Sequence, residues 1–294
     1  MHPRFAKPFD TLSAPLKAAV QPMLDSADFN ARFTPEQVAT LKTATGLDDR
    51  ALRLALLPLA AACSVAPISK FYVGAIASGL SGTWYFGANM EFAGQGLFHS
   101  VHAEQSAISN AWLGGETGIS EITVNYTPCG HCRQFMNELS TAKILKVSLP
   151  DDLSALQSFL PHSFGPADLD ITDALMSPQD HAELVLQSED PLWQAALAAA
   201  RQSYAPYSQG YAAVALQFAD GRIFSGRYAE NAAFNPSLPP MQMACAHAVL
   251  NGEDLATIRR AVLLENKNGQ ISQRDSAQST LKALGSVELE YQAV

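Results

Sequence analysis

The sequence predicts an α/β protein in which a mixed sheet lies between two layers of helices. Short apolar runs rich in β-branched and aromatic residues alternate with helical patterns through residues 70–149, which is typical of a sheet covered by helices on both faces. A similar order of runs returns after residue 190, and 294 residues are enough for two modest domains. We therefore expect a three-layer α/β/α unit that occurs twice.

The composition indicates a globular protein with an acidic surface. Apolar residues make up 48% of the chain, charged residues 16%, and the formal net charge is −9, which disfavours partners recognised through a phosphate backbone. Four cysteines favour a reducing compartment, and no N-terminal signal pattern is visible. The longest apolar run, residues 54–63, is too short to span a bilayer. We expect a cytoplasmic protein that binds neither nucleic acid nor a membrane.

Residues 1–48 predict a helical N-terminal segment whose role is packing. Thr34–Gln37 offers an N-cap, a proline at the first helical position and a glutamine that completes a capping box. A second helix is expected to begin at Asp48 or Asp49 and to bend at Pro58. We find no chemically active motif in this segment.

Residues 49–150 are predicted to form the α/β unit that contains the candidate catalytic residues. Helices are expected to follow Ser100 and Cys129, and both would begin at the same end of the sheet, where open α/β sheets bind ligands. The first two of the expected strands form a hairpin. The four expected strands are residues 71–77, 83–86, 122–126 and 143–149.

Two short motifs at the starts of these helices carry candidate metal ligands. His102, Cys129 and Cys132 are one imidazole and two thiolates, a set that suits Zn²⁺ and leaves a fourth coordination position open. Because Cys129 and Cys132 lie three residues apart, a helix that opens at Cys129 places both sulfur atoms on one face of its first turn. Ser100 as N-cap would put His102 in the first turn of the other helix.

Glu104 is the candidate catalytic residue. It lies two residues after His102, roughly 200° around a helix, and is poorly placed to bind the same ion. A carboxylate beside an activated water molecule can instead carry protons. The His-x-Glu and Pro-Cys-x-x-Cys pair is the general signature of zinc-dependent deaminases.

Residues 151–189 are predicted to form a linker, and residues 190–294 are predicted to form a second copy of the unit. The linker is rich in Pro, Asp and Ser, and Asp190 followed by a proline is expected to cap a new helix. Residues 205–208 repeat residues 66–69 at a shift of 139, which indicates an internal duplication.

The same shift predicts that the second copy has lost the metal site. Applied without gaps, it pairs every candidate ligand of the first copy with a side chain that does not hold zinc. His102 falls on Met241, Glu104 on Met243, Cys129 on Asn268 and Cys132 on Ile271. We therefore expect a degenerate, non-catalytic second domain and one zinc ion per chain.

The chain resembles the two-domain, homodimeric type of the cytidine/deoxycytidylate deaminase family over nearly its whole length. The His-x-Glu and Pro-Cys-x-x-Cys motifs are specific to zinc-dependent deaminases, and Asn89-x-Glu91 narrows the likeness to enzymes that act on free nucleosides. The stretches that carry the resemblance are residues 70–75 (KFYVGA), 86–92 (FGANMEF), 102–104 (HAE) and 126–132 (YTPCGHC).

The resemblance implies a cytidine-deaminase-like fold and a defined reaction. The reaction is hydrolysis of cytidine and 2′-deoxycytidine to uridine and 2′-deoxyuridine with release of ammonia, a step of pyrimidine salvage. His102, Cys129 and Cys132 would hold the zinc, and Glu104 would shuttle the proton.

The resemblance also implies substrate contacts and a homodimer. In similar two-domain proteins the C-terminal copy of one subunit covers the active site of the other, and Phe164 and residues 231–234 are the candidates for that cover. The implied substrate contacts are base stacking on Phe71, ribose hydroxyl contacts from Asn89 and Glu91, and backbone contacts to the exocyclic amine near Ala103.

Other interpretations of these motifs remain open from the sequence. A Cys-x-x-Cys pair can be a redox centre or half of a closed structural zinc site. A redox centre leaves the His-x-Glu motif unexplained, and a closed site needs a fourth ligand, for which Cys63, His99 and His131 are the nearest candidates. A silent zinc module is disfavoured by the intact Glu104, and a deaminase of polynucleotides is disfavoured by the acidic charge and the ribose-directed Asn89.

Overall fold

The first sheet is mixed and is built from six strands. The computed structural model describes residues 1–285 and 287–294. The strands of this sheet are β1 (Arg32–Phe33), β2 (Gly74–Gly79), β3 (Trp84–Ala88), β4 (Ile119–Val124), β5 (Lys146–Ser148) and β6 (Leu153–Ala155). They lie in the order β1-β3-β2-β4-β5-β6, and β4 runs parallel to β5 while the other neighbouring pairs are antiparallel.

Seven helices surround this sheet within the described part of the chain. They are α1 (Ala6–Thr11), α2 (Ala14–Asp25), α3 (Pro35–Thr45), α4 (Asp49–Ala61), α5 (Ala103–Leu113), α6 (Gly130–Met136) and α7 (Leu156–Phe159). The predicted capping box is confirmed, because Gln37 N donates to Thr34 Oγ1 and Thr34 N donates to Gln37 Oε1. Of the two candidate caps for α4, Asp48 accepts from Ala51 N at 2.8 Å.

Side chains of β2 alternate between the two helical layers. Ile76 packs in the core cluster that contains Leu56 of α4, whereas Ala75 and Ala77 pack in the cluster that contains Ala107 of α5. Successive strand residues point to opposite faces of a sheet, so α4 and α5 cover the two sides. The predicted three-layer α/β/α fold is therefore confirmed.

Gly87 lets α5 approach the sheet closely. A Cβ atom at this position would lie 2.1 Å from Ala107 N and 2.4 Å from Ala103 O. We expect Gly87→Ala to destabilise the fold by about 3 kcal/mol, since backbone atoms of α5 cannot yield as a side chain does. Denaturant unfolding would measure this loss. Gly130→Ala, whose added methyl group meets no atom within 4 Å, is the matched control and should change stability by less than about 1 kcal/mol.

All four strands of the first unit differ by one to three residues from the predicted bounds, and two of the differences have a clear physical reason. The strand expected over residues 71–77 begins at Gly74, because the Asn89 side chain accepts from Val73 N and donates to Phe71 O, which takes the backbone out of the sheet. The sheet also continues beyond residue 150, into the segment expected to be an irregular linker. A tight turn in which Leu149 N donates to Asp152 O returns the chain as β6 beside β5.

The second sheet repeats the first. Its strands are β7 (Ala212–Phe218), β8 (Ile223–Arg227), β9 (Ile258–Glu265) and β10 (Leu289–Ala293), in the order β10-β9-β7-β8. Its helices are α8 (Pro191–Ala200), α9 (Pro240–Leu250) and α10 (Arg274–Leu284). As predicted, Asp190 caps α8 by accepting from Leu192 N. None of the described helices is long and apolar enough to cross a membrane.

The register of the two sheets confirms the duplication and corrects its alignment. Ala75 pairs with Gly87 as Val214 pairs with Gly226, at the predicted shift of 139 residues. Between α5 and α9 the shift is 137, because Gly226 abuts Ala244 N where Gly87 abuts Ala107 N. The loop before α9 is thus two residues shorter than the loop before α5.

The gapless pairing of the metal motifs was therefore wrong in register. By the bounds of α5 and α9, His102 corresponds to Pro239 and Glu104 to Met241; by those of α6 and α10, Cys129 corresponds to Gln273 and Cys132 to Ser276. These side chains are as unsuited to zinc as those of the gapless pairing.

Candidate active site

A cavity of about 590 Å³ lies at the end of the first sheet where β3 and β4 end and β2 begins. Cys132 lies just behind its wall, in contact with Cys129 and His102. The other predicted site residues all line the cavity, namely Phe71, Asn89, Glu91, His102, Ala103, Glu104 and Cys129. The structure thus brings every predicted site residue to one place.

The three candidate ligands are spaced for one metal ion. His102 Nδ1 lies 3.4 Å from Cys129 Sγ and 3.3 Å from Cys132 Sγ, and the two sulfur atoms are 3.6 Å apart. Tetrahedral coordination, with Zn–S of about 2.3 Å and Zn–N of about 2.0 Å, requires separations of roughly 3.5–3.8 Å between such atoms. The donor set and its spacing therefore fit zinc.

The cluster is open on one side. Within residues 1–285 and 287–294, no fourth His, Cys or carboxylate side chain joins it. Cys63 is buried in the core beside α4 and bonds Leu59 O, and His99 is bound to residues of the second copy. The cysteines are free, and their separation of 3.6 Å excludes a disulfide in this structure. A closed structural site is thus not formed, and the open position is typical of catalytic zinc.

His102 is the N-cap of α5, and the prediction that Ser100 caps this helix was wrong. Met90 and Val101 form a pair of backbone hydrogen bonds of 2.8 Å each, which keeps residue 101 extended and delays the start of the helix to Ala103. Cys129 is likewise the N-cap of α6. Two helix N-termini therefore meet at the cluster and favour negatively charged sulfur.

The two sulfur atoms have opposite electrostatic environments. Hydrogen bonds from Cys132 and His102 lower the pKa of Cys129 to about 3. The pKa of Cys132 is raised well above its usual value, first by its interaction with Cys129 and then by burial. Cys129 is therefore the stronger acid of the two thiols.

Glu104 lies in the second position of α5 and is 4% exposed. Burial raises its pKa above the usual value for a glutamate. It lies outside the ligand cluster, as predicted, yet it lines the same cavity as His102. A carboxyl group that gives up its proton less readily than usual, beside an open metal position, suits general acid–base chemistry.

Asn89 and Glu91 both hold backbone of the chain before β2. Glu91 accepts from Ile68 N at 2.8 Å, from Ser69 N at 3.0 Å and from the Ser69 hydroxyl. Burial alone would raise the pKa of Glu91, but these hydrogen bonds lower it below its usual value. Asn89 uses one N–H and one acceptor position on the segment Phe71–Val73. Each side chain keeps unused hydrogen-bonding capacity that faces the cavity.

The Glu91 contacts occur again in the second copy. Glu230 accepts from Tyr207 N, Ser208 N and the Ser208 hydroxyl, the same three contacts at a shift of 139 residues. Part of the role of Glu91 is therefore structural, because it is retained where the ligands are absent.

Tyr126 and Leu97 also line the cavity and were missed from the sequence as site residues. Tyr126 packs beside Phe71, with ring centroids 4.5 Å apart, so the aromatic wall has two rings. Its place directly after an apolar strand was a usable signal. Leu97 lies in the loop before His102. His131, one of the candidates for a fourth ligand, lies outside the ligand cluster, but its ring stacks on that of His102 with centroids 4.9 Å apart, which no sequence pattern indicates.

A larger cleft of about 780 Å³ lies at the other end of the sheet. Its buried charges are already paired, since Arg53 donates to Glu121 at 2.6 Å and to Thr123 at 3.0 Å. No cluster of metal ligands lies there in the described ranges. The smaller cavity is therefore the candidate active site.

Comparisons with known proteins agree with this geometry. Two family models, both described as the cytidine and deoxycytidylate deaminase zinc-binding region, match residues 47–148 and 156–278. The chain is 92% identical to the cytidine deaminases of Aeromonas salmonicida and Aeromonas hydrophila, with 100% of each chain covered.

Solved structures of smaller cytidine deaminases match part of the chain. The Mycobacterium tuberculosis protein is 27% identical with a TM-score of 0.37, and the match covers 40% of this chain and 99% of that one. The Burkholderia pseudomallei protein is 28% identical with a TM-score of 0.35, and covers 40% and 100%. At these TM-scores the structural likeness carries no argument.

The full-length identity and the two matched regions leave no ambiguity about family. Zinc is the metal named for those regions, and it is the metal that the His102, Cys129 and Cys132 donor atoms fit. The chain belongs to the cytidine deaminase family of zinc-dependent hydrolases.

Proposed function

We propose that the protein hydrolyses cytidine and 2′-deoxycytidine to uridine and 2′-deoxyuridine with release of ammonia. The observation that carries this proposal is the convergence of an open three-ligand centre and a buried carboxylate in one cavity. The 92% identical relatives, which are named cytidine deaminases, support it. We place the reaction in pyrimidine salvage in the cytoplasm.

We assign the metal and the proton transfers to four residues. His102, Cys129 and Cys132 hold the zinc, which when bound supplies the Lewis acidity that makes a water molecule nucleophilic at neutral pH. Glu104 accepts the proton of the water that attacks C4 of the cytosine ring. It then delivers a proton to N3 and assists the amino group to leave as ammonia, so a single carboxylate serves as base and acid.

The remaining cavity residues bind and orient the nucleoside. The base lies against Phe71 and Tyr126, and the Ala103 backbone contacts the exocyclic amine. Asn89 and Glu91 bind a ribose hydroxyl with the hydrogen-bonding positions that the chain itself leaves free. Loss of absorbance as cytidine becomes uridine tests the proposal, and purified, zinc-loaded protein that leaves cytidine unchanged would refute it.

We expect cytidine to be a far better substrate than cytosine within an oligonucleotide. A 3′-hydroxyl bound by Asn89 and Glu91 is free in a nucleoside but esterified inside a polynucleotide, where Glu91 would also repel the phosphate. The specificity constant for a short oligonucleotide should be lower by at least about 10³-fold. Comparable specificity constants for the two under the same conditions would contradict a nucleoside substrate and favour a polynucleotide.

Glu91→Ala is expected to lower the specificity constant for cytidine by about 100-fold, since a charged hydrogen bond to the ribose is lost. Glu230→Ala is the matched control, because it removes the same backbone contacts from the second copy and Glu230 does not line the cavity. Since Glu230 precedes the cover candidates at residues 231–234, ultracentrifugation must first show that the variant assembles as the wild type does. Glu230→Ala should leave cytidine turnover within about fivefold of the wild type. Equal losses in the two variants would show that Glu91 is only structural.

We further propose a homodimer, with residues 49–150 as the catalytic domain, 151–189 as the connection and 190–294 as the non-catalytic domain. Helix α6 holds both cover candidates, because Gln134 donates to Phe164 O at 2.7 Å and Asn231 donates to Gln134 O at 3.0 Å. The rings of Phe164 and Phe234 are 44% and 66% exposed. We infer that these two rings close the cavity of a second copy, whose mouth exposes further apolar side chains.

Analytical ultracentrifugation of Phe234→Asp tests the dimer. An exposed aromatic ring contributes little to the fold of one chain, so the variant should stay folded while its dimer weakens and its activity falls. A wild-type monomer with full turnover would refute this assignment.

A further inference from the structure

The loop of residues 91–100, here called the pocket loop, forms one wall of the active-site cavity. Its ends are joined by the hydrogen bonds between Met90 and Val101, and His102 follows directly. Leu97 lines the cavity from this loop although it is 72% exposed. The loop therefore needs anchors outside the first copy to hold its shape.

The second copy supplies those anchors in the same chain. His99 is 5% exposed, and its Nδ1 lies 3.0 Å from Gln242 Nε2 of α9 and 3.0 Å from Thr280 Oγ1 of α10. Ser279 Oγ of α10 donates to Gln95 Oε1 at 2.6 Å. Gln95 and His99 of the loop are thus bound by helices of the non-catalytic copy, whereas Glu91 is bound within the first copy.

The arrangement is reciprocal. The equivalent loop of the second copy packs on α5 and on the turn after α6, where Gln105 donates to Pro236 O at 3.1 Å and Ala232 N donates to Glu138 at 3.0 Å. At the helix shift of 137 residues, Gln105 corresponds to Gln242 and His99 to Pro236. Each copy therefore anchors a loop of the other, and this reciprocal anchoring is retained although one copy has no metal ligands.

We propose that Gln242, Ser279 and Thr280 are positioning residues for the active site of their own chain. Without them, the binding of substrate must order the pocket loop, and this cost in conformational entropy weakens binding more than it slows the chemical step. The proposal rests on the proposed function, because it takes cytidine as the substrate. It differs from the cover by a second copy, since all its contacts are within one chain.

Thr280→Val and Thr280→Ser test the hydroxyl directly. The valine keeps the shape of the side chain but removes the hydroxyl's contacts with His99, Gln242 and Ser276 O, whereas the serine keeps them. We expect Thr280→Val to raise KM for cytidine about tenfold with kcat within about twofold of the wild type. Thr280→Ser should restore KM, and zinc content and dimerisation should not change.

Hydrogen exchange of the pocket-loop amides provides a readout that needs no activity. Exchange over residues 93–98 should accelerate in Thr280→Val and, to a smaller extent, in Ser279→Ala, whose partly exposed site makes it the safer variant for folding. Ser203→Ala is the control, because its buried hydroxyl donates to Ala200 O within its own copy. It should leave both KM and loop exchange unchanged.

The outcomes separate this proposal from the proposed function. Unchanged KM and unchanged hydrogen exchange of the pocket loop in Thr280→Val and Ser279→Ala would overturn the positioning role. A rise of KM in Thr280→Ser equal to that in Thr280→Val would overturn it as well. If the wild type does not convert cytidine, the proposed function fails. Hydrogen exchange of the pocket loop in the variants still decides whether the second copy anchors the loop.

Discussion

Glu104→Gln is expected to bind zinc normally and to lose about 10⁴-fold in kcat for cytidine, because the amide can neither accept the proton of the water nor deliver one to N3. Glutamine has nearly the size of the glutamate that α5 buries at 4% exposure, so the fold should be retained. Steady-state kinetics with metal analysis measures both parts of this expectation.

The Glu104→Gln comparison isolates proton transfer from substrate binding. The ligand cluster does not contain Glu104, so zinc content should match that of the wild type. The melting temperature should also stay within a few degrees, since no cavity is created. Turnover within about tenfold of the wild type would mean that another group carries the proton.

Cys132→Ala is expected to abolish both zinc binding and activity. The wild type should carry one zinc ion per chain, and the variant should carry less than about a tenth of that, because two remaining ligands do not hold zinc tightly. Cys132 Sγ lies 3.3 Å from His102 Nδ1 and 3.6 Å from Cys129 Sγ. Elemental analysis after dialysis against a weak chelator makes the measurement.

The matched control for Cys132→Ala lies in the second copy. Cys245 is a free cysteine buried on α9, outside the three-ligand cluster, and burial raises its pKa to about 12. Cys245→Ala should therefore keep one zinc ion and near-normal turnover, with at most a modest loss of stability. Two zinc ions per wild-type chain, or full zinc in Cys132→Ala, would contradict the assigned ligand set.

Local patterns in the sequence were sufficient where the physics is local. The capping box at Thr34 and the cap of α8 at Asp190 depend on residues within one helical turn. The spacing of Cys129 and Cys132 places both sulfur atoms together for the same reason. The nature of the ligands indicated zinc, and Glu104 was recognised by its place in the motif.

Other features depended on contacts between distant segments. The start of α5 was mispredicted because the Met90–Val101 bridge, and not the capping preference of Ser100, decides where the helix begins. The contacts of Asn89 with the backbone before β2 moved the start of that strand. Neither effect leaves a mark on the local pattern of either segment.

The sequence by itself determined the family, the metal and the duplication and predicted the ligands, because each of these depends on residue types at short or fixed spacings. Only the tertiary structure decided the two-residue offset between the copies and the reciprocal anchoring of their loops. The His99–Thr280 contact joins residues 181 positions apart, and such a contact depends on how two sheets and their helices pack against each other. The chemistry of each side chain can be read directly from the sequence, whereas the packing of remote segments depends on the complete fold.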